Sequence, residues 1–312
     1  MLDLVHYSTF SNKEKFLDKI DISNHLAIYR RSTNTEIDDR TKWVRQVLSN
    51  TAKSVWDIDY DVREQSLKIN DKSISIRDFV QGTKKKPAIT DRPLIDATSL
   101  NFPELQYLFY WFNKIEQPFD LIYVEPECYP PSSPDKFNLS EDGLGLAQLP
   151  PFLGRVQNNL VYVISIGFEG HRIQGLLNND EYSNPGFQDI KVIIGVPAFK
   201  AGFDRDSLKA NALALAQIKK MPSREVHIAS ANNPCVIIKY LNKVSKSLDR
   251  RDESRQKLSL IPFGTKPTAI GMAWFAVKNQ KDTIVTYDHV KKVPGRSKGI
   301  GKVHFAQFDN ID

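Results

Sequence analysis

From Asn159 onward the chain alternates short runs that are apolar almost without interruption with longer runs whose apolar positions recur at helical spacing. "NLVYVISIGFE" precedes "GHRIQGLL", "DIKVIIGVPAF" precedes "DRDSLKANALALAQIKKM", "EVHIASA" precedes "NPCVIIKYLNKVSKSLDRR", and "KLSLIPFG" precedes "TKPTAIGMAWFAVKNQ". "TIVTYDHV" closes the series as a further strand. Strands apolar throughout are covered on both faces, and their alternation with helices predicts βαβ units around a largely parallel sheet. In the second helix Asp204 or Asp206 is the expected N-cap, and basic residues occupy the last turn, where the dipole favours them. The pattern predicts an α/β fold that is Rossmann-like, mostly parallel, with helices on both faces of the sheet.

The first half is built the same way, less completely. "HLAIYRRS" predicts a strand before the helix "DDRTKWVRQVLSNTA", and "PLIDATSL" a strand before "FPELQYLFYWFNKIE". In that second helix Leu105, Leu108, Phe109, Phe112 and Ile115 share one face, and "FDLIYVE" is the next strand. Between these units "VWDIDYDVREQSLKINDKSISIRDF" alternates and carries Asn-Asp at a turn, which predicts an inserted β-hairpin. The segments starting "IDATSLNFPEL" and "IPFGTKPTAIG" share an order of strand, polar loop, proline-started helix with a Trp-Phe pair, and strand. Two related αβ halves would produce that order, and so would convergence on a common unit. The Pro- and Gly-rich stretch from Glu125 to Gly154 separates the halves, so the expected boundary lies near Gln157, between residues 1–156 and 157–312. The halves either share one sheet or form one each.

With 41% hydrophobic and 26% charged residues among 312, the chain lies outside the disordered range and can form one large domain or two packed ones. Lys+Arg at 43 against Asp+Glu at 37 gives a net charge of +6, which favours an anionic small molecule, a nucleotide or a nucleic acid as partner. A solvated basic surface is the plainer explanation. Cys128 and Cys235 are far apart in apolar surroundings and outline neither a disulfide framework nor a zinc cluster. The expected compartment is a reducing cytoplasm. The first residues lack the features of a secretory signal, and no apolar run approaches the ~20 residues that span a bilayer, so no membrane partner is expected. Six scattered histidines and the lack of a Gly-x-Ser-x-Gly run indicate no metal site or nucleophile elbow, and no cofactor is identified.

In an open parallel sheet, ligands collect beyond the carboxyl ends of the strands, where loops meet helix N-termini. That rule selects the loops after Ala97, Tyr123, Ile166, Val196, Ile228 and Ile261. The last, "PFGTKP", is the most informative. Gly264 lets backbone approach an anion, Thr265 can cap the helix or bond a ligand, and Lys266 adds charge beside the helix N-terminus. Pro267 in the first turn sacrifices no hydrogen bond. The alternative is purely structural, with Thr265 a cap, Lys266 solvated and Gly264 a packing residue. Neither a Walker P-loop nor Gly-x-Gly-x-x-Gly is present.

This strand, Gly-Thr-Lys and helix resembles the signature of the CRISPR-associated Rossmann-fold (CARF) sensor domains. Their usual form is a strand, a small polar pair, Gly-Thr-Lys and a Met-Ala-rich helix. Gly264, Thr265, Lys266, Met272 and Ala273 match it, whereas Ile261-Pro262-Phe263 replaces the polar residues ahead of it. The resemblance implies binding of nucleotide second messengers, typically cyclic oligonucleotides, between two Rossmann-like units, with relay to an effector protein in anti-phage defence. It implies that Gly264, Thr265 and Lys266 hold phosphate or ribose, faced by the loop from Gly167 to Arg172. There Glu169 would accept from a ribose hydroxyl or base amine and His171 and Arg172 would meet phosphate, unless Glu169 and Arg172 pair across the helix start.

Asp96, Thr98 and Ser99 form the corresponding loop of the first half, able to orient a ligand or cap the helix that Pro103 begins. Glu125, with Tyr123, Glu127 and Tyr129, can grip a base or form a solvated rim. Lys291, Lys292, Arg296, Lys298 and Lys302 make a cationic loop, and Lys84 to Lys86 a second basic cluster, each suited to phosphates or to solvent. Three functions fit: a nucleotide sensor, an enzyme using Lys266 and Arg172 with Glu169 or His171 as acid or base, or a nucleic-acid-binding or scaffold subunit.

Overall fold

The computed structural model describes residues 1–31, 38–84, 86–130, 137–141, 145–155, 159–179, 189–248 and 256–311, and in it the apolar runs become the interior strands of two separate sheets. The chain forms two compact units, Met1–Pro130 with Lys292–Asp312, and Pro131–Lys291. The boundary expected near Gln157 lies outside the described residues, and the C-terminal strand belongs to the first unit.

Along the first unit run β1 (Leu2–Phe10), α1 (Lys13–Leu17), β2 (His25–Arg30), α2 (Asp39–Thr51), β3 (Ser54–Asp61), β4 (Ser66–Ile69), β5 (Lys72–Ser75), α3 (Ile76–Gln81), β6 (Arg92–Asp96), α4 (Phe102–Lys114) and β7 (Phe119–Val124). The second unit contains β8 (Leu146–Gln148), β9 (Leu160–Ser165), α5 (Gly170–Leu177), β10 (Asp189–Gly195), α6 (Phe203–Ala210), α7 (Ala212–Ile218), β11 (Ser223–Ala229), α8 (Pro234–Ser247), β12 (Lys257–Pro262), α9 (Lys266–Lys278) and β13 (Thr283–Asp288). The chain then returns to the first unit with β14 (Val303–Asn310).

The first sheet has the order β1-β14-β7-β6-β2-β3-β4-β5. β7, β6, β2 and β3 are parallel, and the flanking strands are antiparallel. The expected hairpin is β4–β5. Asn70 turns it with φ +50, a left-handed conformation that asparagine tolerates, and its Oδ1 accepts from the Asp57 amide at 2.9 Å. The pairing of β1 with β14, from Leu2↔Asn310 to Phe10↔Val303, joins the two ends of the chain.

The second sheet has the order β11-β10-β9-β12-β13-β8, parallel except for β8. In both units the chain lays down one strand, adds the next on one side and then crosses to the other side. The crossings fall at β2/β6 and at β9/β12. The helix that follows each crossing strand, α4 and α9, is buried on all sides, as a helix apolar all round must be. Burial of a side chain such as Trp274 or Phe109 contributes about 1.5–3 kcal/mol.

Three expectations are corrected. Ile115 is 50% exposed, because α4 ends at Lys114 and the residue caps it beyond the packed face. Residues 203–218 form two helices broken at Asn211, with Gly202 as left-handed N-cap and Asp204 and Asp206 inside the first turn. The break is occupied: Asn211 Nδ2 donates to Gly167 O and Ser207 O, both at 2.7 Å. Third, β11 is not covered on both faces, being an exposed edge strand.

An ionic clamp closes the first sheet at the strand starts. Arg92 donates to both oxygens of Asp120 (2.9 and 2.7 Å) and of Asp309 (2.9 and 3.0 Å), and His25 Nε2 lies 2.8 Å from Asp120 Oδ2. Bidentate guanidinium pairs are geometrically demanding, so this end is fixed. Among the described residues no helix is long and apolar enough to cross a membrane.

Candidate ligand-binding site

At the opposite end of the first sheet, the exits of β2 and β6 are joined by polar bonds. Asp96, fully buried, accepts the Thr98 amide at 2.8 Å, and among the described residues its Oδ2 has no hydrogen-bond partner. Burial pushes its carboxyl up from the usual range, against the pull of Thr98 and Ser99. Ser99 Oγ accepts from the Arg30 amide at 3.0 Å, and Thr98 Oγ1 from the Val124 amide at 3.1 Å, so neighbouring side chains reach the ends of β2 and β7. None of these three residues caps α4. Its N-cap is Asn101, without a side-chain cap bond.

A narrow polar cleft of about 10 Å³, room for a single water-sized group, opens here, lined by Arg30, Asp38, Thr41, Thr98, Ser99, Lys292 and Arg296. Asp38 is already committed: it caps α2 through the Thr41 amide (2.9 Å) and takes Arg40 Nη2 (2.5 Å) and Ser297 Oγ (2.6 Å). Burial opposes its charge, but Arg40, Ser297 and Thr41 outweigh burial and hold the carboxyl well below its usual range. Lys292 Nζ donates to Ser99 O at 3.2 Å, and Arg30 Nε faces Asp59 at 3.2 Å and buried Glu104 at 3.4 Å. Three cations thus border the cleft beside hydroxyls of Thr41, Thr98 and Ser99, a donor-rich lining suited to an anion.

At the equivalent crossing in the second unit the two loops approach each other closely. The Gly264 amide donates to Ser165 Oγ at 3.0 Å, and a Cβ on Gly264 would sit 3.0 Å from that side chain. A Cβ on Gly167 would lie 2.8 Å from Phe263 O, so both glycines serve the close approach of the two loops. Thr265 begins α9 without a side-chain cap bond, and its hydroxyl is engaged by Ala231 O and, at 3.0 Å, by Thr268 Oγ1. Lys266 is half-buried. Arg172 Nε donates to Asp288 at 3.0 Å, its guanidinium lies 4.5 Å above the Phe263 ring, and Glu169 is 3.8 Å away. Glu169 also accepts from Ser140 at 2.5 Å. Glu169 and Arg172 therefore pair across the start of α5, while His171 is exposed.

The remaining candidates are dispersed. Glu125 is turned inward, its Oε1 2.7 Å from Nε2 of fully buried His304, whose ring stacks on Tyr7 and Tyr123. Lys291 and Lys298 are exposed. Lys84 pairs with Asp78 at 3.4 Å, Lys85 lies outside the described residues, and Lys86 rests 4.1 Å above the Phe79 ring. Burial of Lys86, with Lys114 nearby, pulls its ammonium down to about 8. Among the described residues no cluster of His, Cys, Asp or Glu could hold a metal ion.

Arg30, Asp38 and Thr41 were not singled out from the sequence. The signal was present, since "HLAIYRR" ends a strand as clearly as "PLID" does. Fold and cleft together define an α/β protein with a cationic cleft at a strand crossover. No protein-family model and no curated protein matches the chain.

Proposed function

We propose that the protein binds a phosphate-bearing nucleotide or oligonucleotide and that the narrow cleft at β2/β6 takes one oxygen of its anionic group. One observation carries the reading: Arg30, Lys292 and Arg296 gather with Thr41, Thr98 and Ser99 where the strand order reverses. The order of β3-β2-β6-β7 corresponds to a 2-1-3-4 doubly wound sheet and that of β11-β10-β9-β12-β13 to 3-2-1-4-5, which supports a Rossmann-like assignment for both units. Ligands of such sheets bind at the reversal point. The nucleotide and the cellular role of a sensor that signals to a partner protein come from the Gly-Thr-Lys resemblance, whose residues lie in the second unit and not in the cleft.

Isothermal titration with inorganic phosphate and mono-, di- and cyclic nucleotides tests this. Arg296→Ala is expected to weaken binding roughly tenfold, the worth of one charge-assisted hydrogen bond, and Lys266→Ala to leave it nearly unchanged. Heat from none of the ligands rejects the reading, and the reverse ranking of the two variants moves the site to the second unit. Recovery of altered nucleotide from the same mixtures would replace a sensor with an enzyme.

A further inference from the structure

β11 is the outer strand of the second sheet, and among the described residues nothing pairs with its free side. Seven residues long, it has neither proline nor bulge to blunt it, and its charged side chains are those of Arg224 and Glu225. Val226 and Ile228 are 56% and 63% exposed, far from what an apolar β-branched pair in a strand ordinarily tolerates.

The direction of the backbone groups follows from one bond. Ala229 O accepts from Val196 N at 2.7 Å and so points toward β10. Successive residues of a strand alternate, so Glu225 and His227 also direct their backbone groups toward β10, and Arg224, Val226 and Ile228 direct theirs outward. On the side chains, Glu225 and His227 share the α8 face: His227 stacks on Tyr240 at 3.6 Å, and Tyr240 Oη donates to Glu225 Oε1 at 3.3 Å. Lys191 holds the other Glu225 oxygen at 3.1 Å, yet the Glu225 side chain stays 46% exposed.

We infer that β11 pairs antiparallel with β11 of a second copy of this chain, about a two-fold axis through Val226. A two-fold axis keeps each residue on its own face, so only registers centred on a residue are allowed. Centring on Glu225 sets carboxylate against carboxylate, and centring on His227 sets imidazole against imidazole. Centring on Val226 places each Glu225 opposite the partner copy's His227, on the α8 face, at the closer, non-hydrogen-bonded spacing. In the same register the outward groups of Arg224, Val226 and Ile228 meet as hydrogen-bonded pairs, and the valines meet across the axis. Among the registers centred on Glu225, Val226 and His227, only the one on Val226 sets a carboxylate acceptor opposite an imidazole N–H donor. A strand pair of this length makes a modest interface, so the dimer is reversible.

Sedimentation velocity of the full chain over a concentration series is expected to show a monomer–dimer equilibrium. Val226→Pro removes an outward amide and leaves the β10 ladder intact, so it should abolish the dimer with an unchanged circular dichroism spectrum. If that variant does not fold, Val226→Lys places two ammonium groups across the axis and should abolish it equally. Glu225→Lys should raise the dissociation constant several-fold, and Glu225→His combined with His227→Glu should restore it. An unmodified chain that stays monomeric overturns the inference. So does a dimer indifferent to the position 226 variants, or one that Glu225→Lys strengthens.

Discussion

The two units carry the same parallel core, a first strand with the second on one side and the next two on the other, and an antiparallel strand beyond. Yet the crossings are filled by opposite means. In the first unit Thr98, Ser99 and Asp96 tie three strand exits together through side chains, and the cations bordering them leave a cleft. In the second, Gly167 and Gly264 let two loops touch backbone to backbone, and Arg172 is consumed by Asp288, Glu169 and Phe263. Strand order sets where the loops meet, and the residues at the lip decide whether side chains or backbone make that meeting.

The sharpest way to break the symmetry is at the clamp. Arg92→Ala leaves Asp120, itself buried, with His25 as its remaining ionic partner among the described residues, and is expected to destabilise the first unit by roughly 3 kcal/mol. Hydrogen exchange read by mass spectrometry should show faster exchange in β6, β7 and β14 than in β9 to β13. Equal loss in both sheets would mean that the units unfold as one.

In the second unit the corresponding weak point is steric. A Cβ on Gly170 would lie 1.9 Å from Ala210 O, so Gly170→Ala must displace α5 from the α6–α7 junction, at a cost of about 1–3 kcal/mol. Gly175, in the same helix, has nothing within 4 Å, so Gly175→Ala is expected to stabilise by up to about 1 kcal/mol. Urea denaturation of the pair compares close approach with helix propensity in one element.

Acid separates the units more gently. Burial, with Arg172 nearby, pulls the His289 imidazole from its usual 6.5 down to about 4, partly offset by Asp288. The unfolded chain therefore takes up the proton first. The second unit loses stability as pH falls from 6.5 to about 4, by an amount on the order of 1 kcal/mol because the ring is partly solvated. His289→Gln should flatten that slope. The first unit's comparable contribution, from Asp38, is complete above the ordinary carboxylate value of 3.8 and disappears only below it.

Much of this architecture was legible in the sequence. β9, β10, β12 and α9 could be read because interior strands and all-round apolar helices leave uninterrupted patterns. β1 and β14 could not, since each partner lies at the other end of the chain and no turn links them. Asn211 escaped notice for a related reason: helical spacing continues through it, and only the fold brings Gly167 O within reach of its amide. Four of the seven lining residues were visible as Thr98, Ser99, Lys292 and Arg296. Arg30 was missed because recognising a strand's end does not reveal which strand will be its neighbour.

β14 lies between β1 and β7, although every residue of the second unit is translated before it. On the ribosome, then, the second unit can complete its sheet while β1 still lacks its strand partner. Until β14 emerges, β7 keeps an open edge that chaperones and other nascent chains can reach.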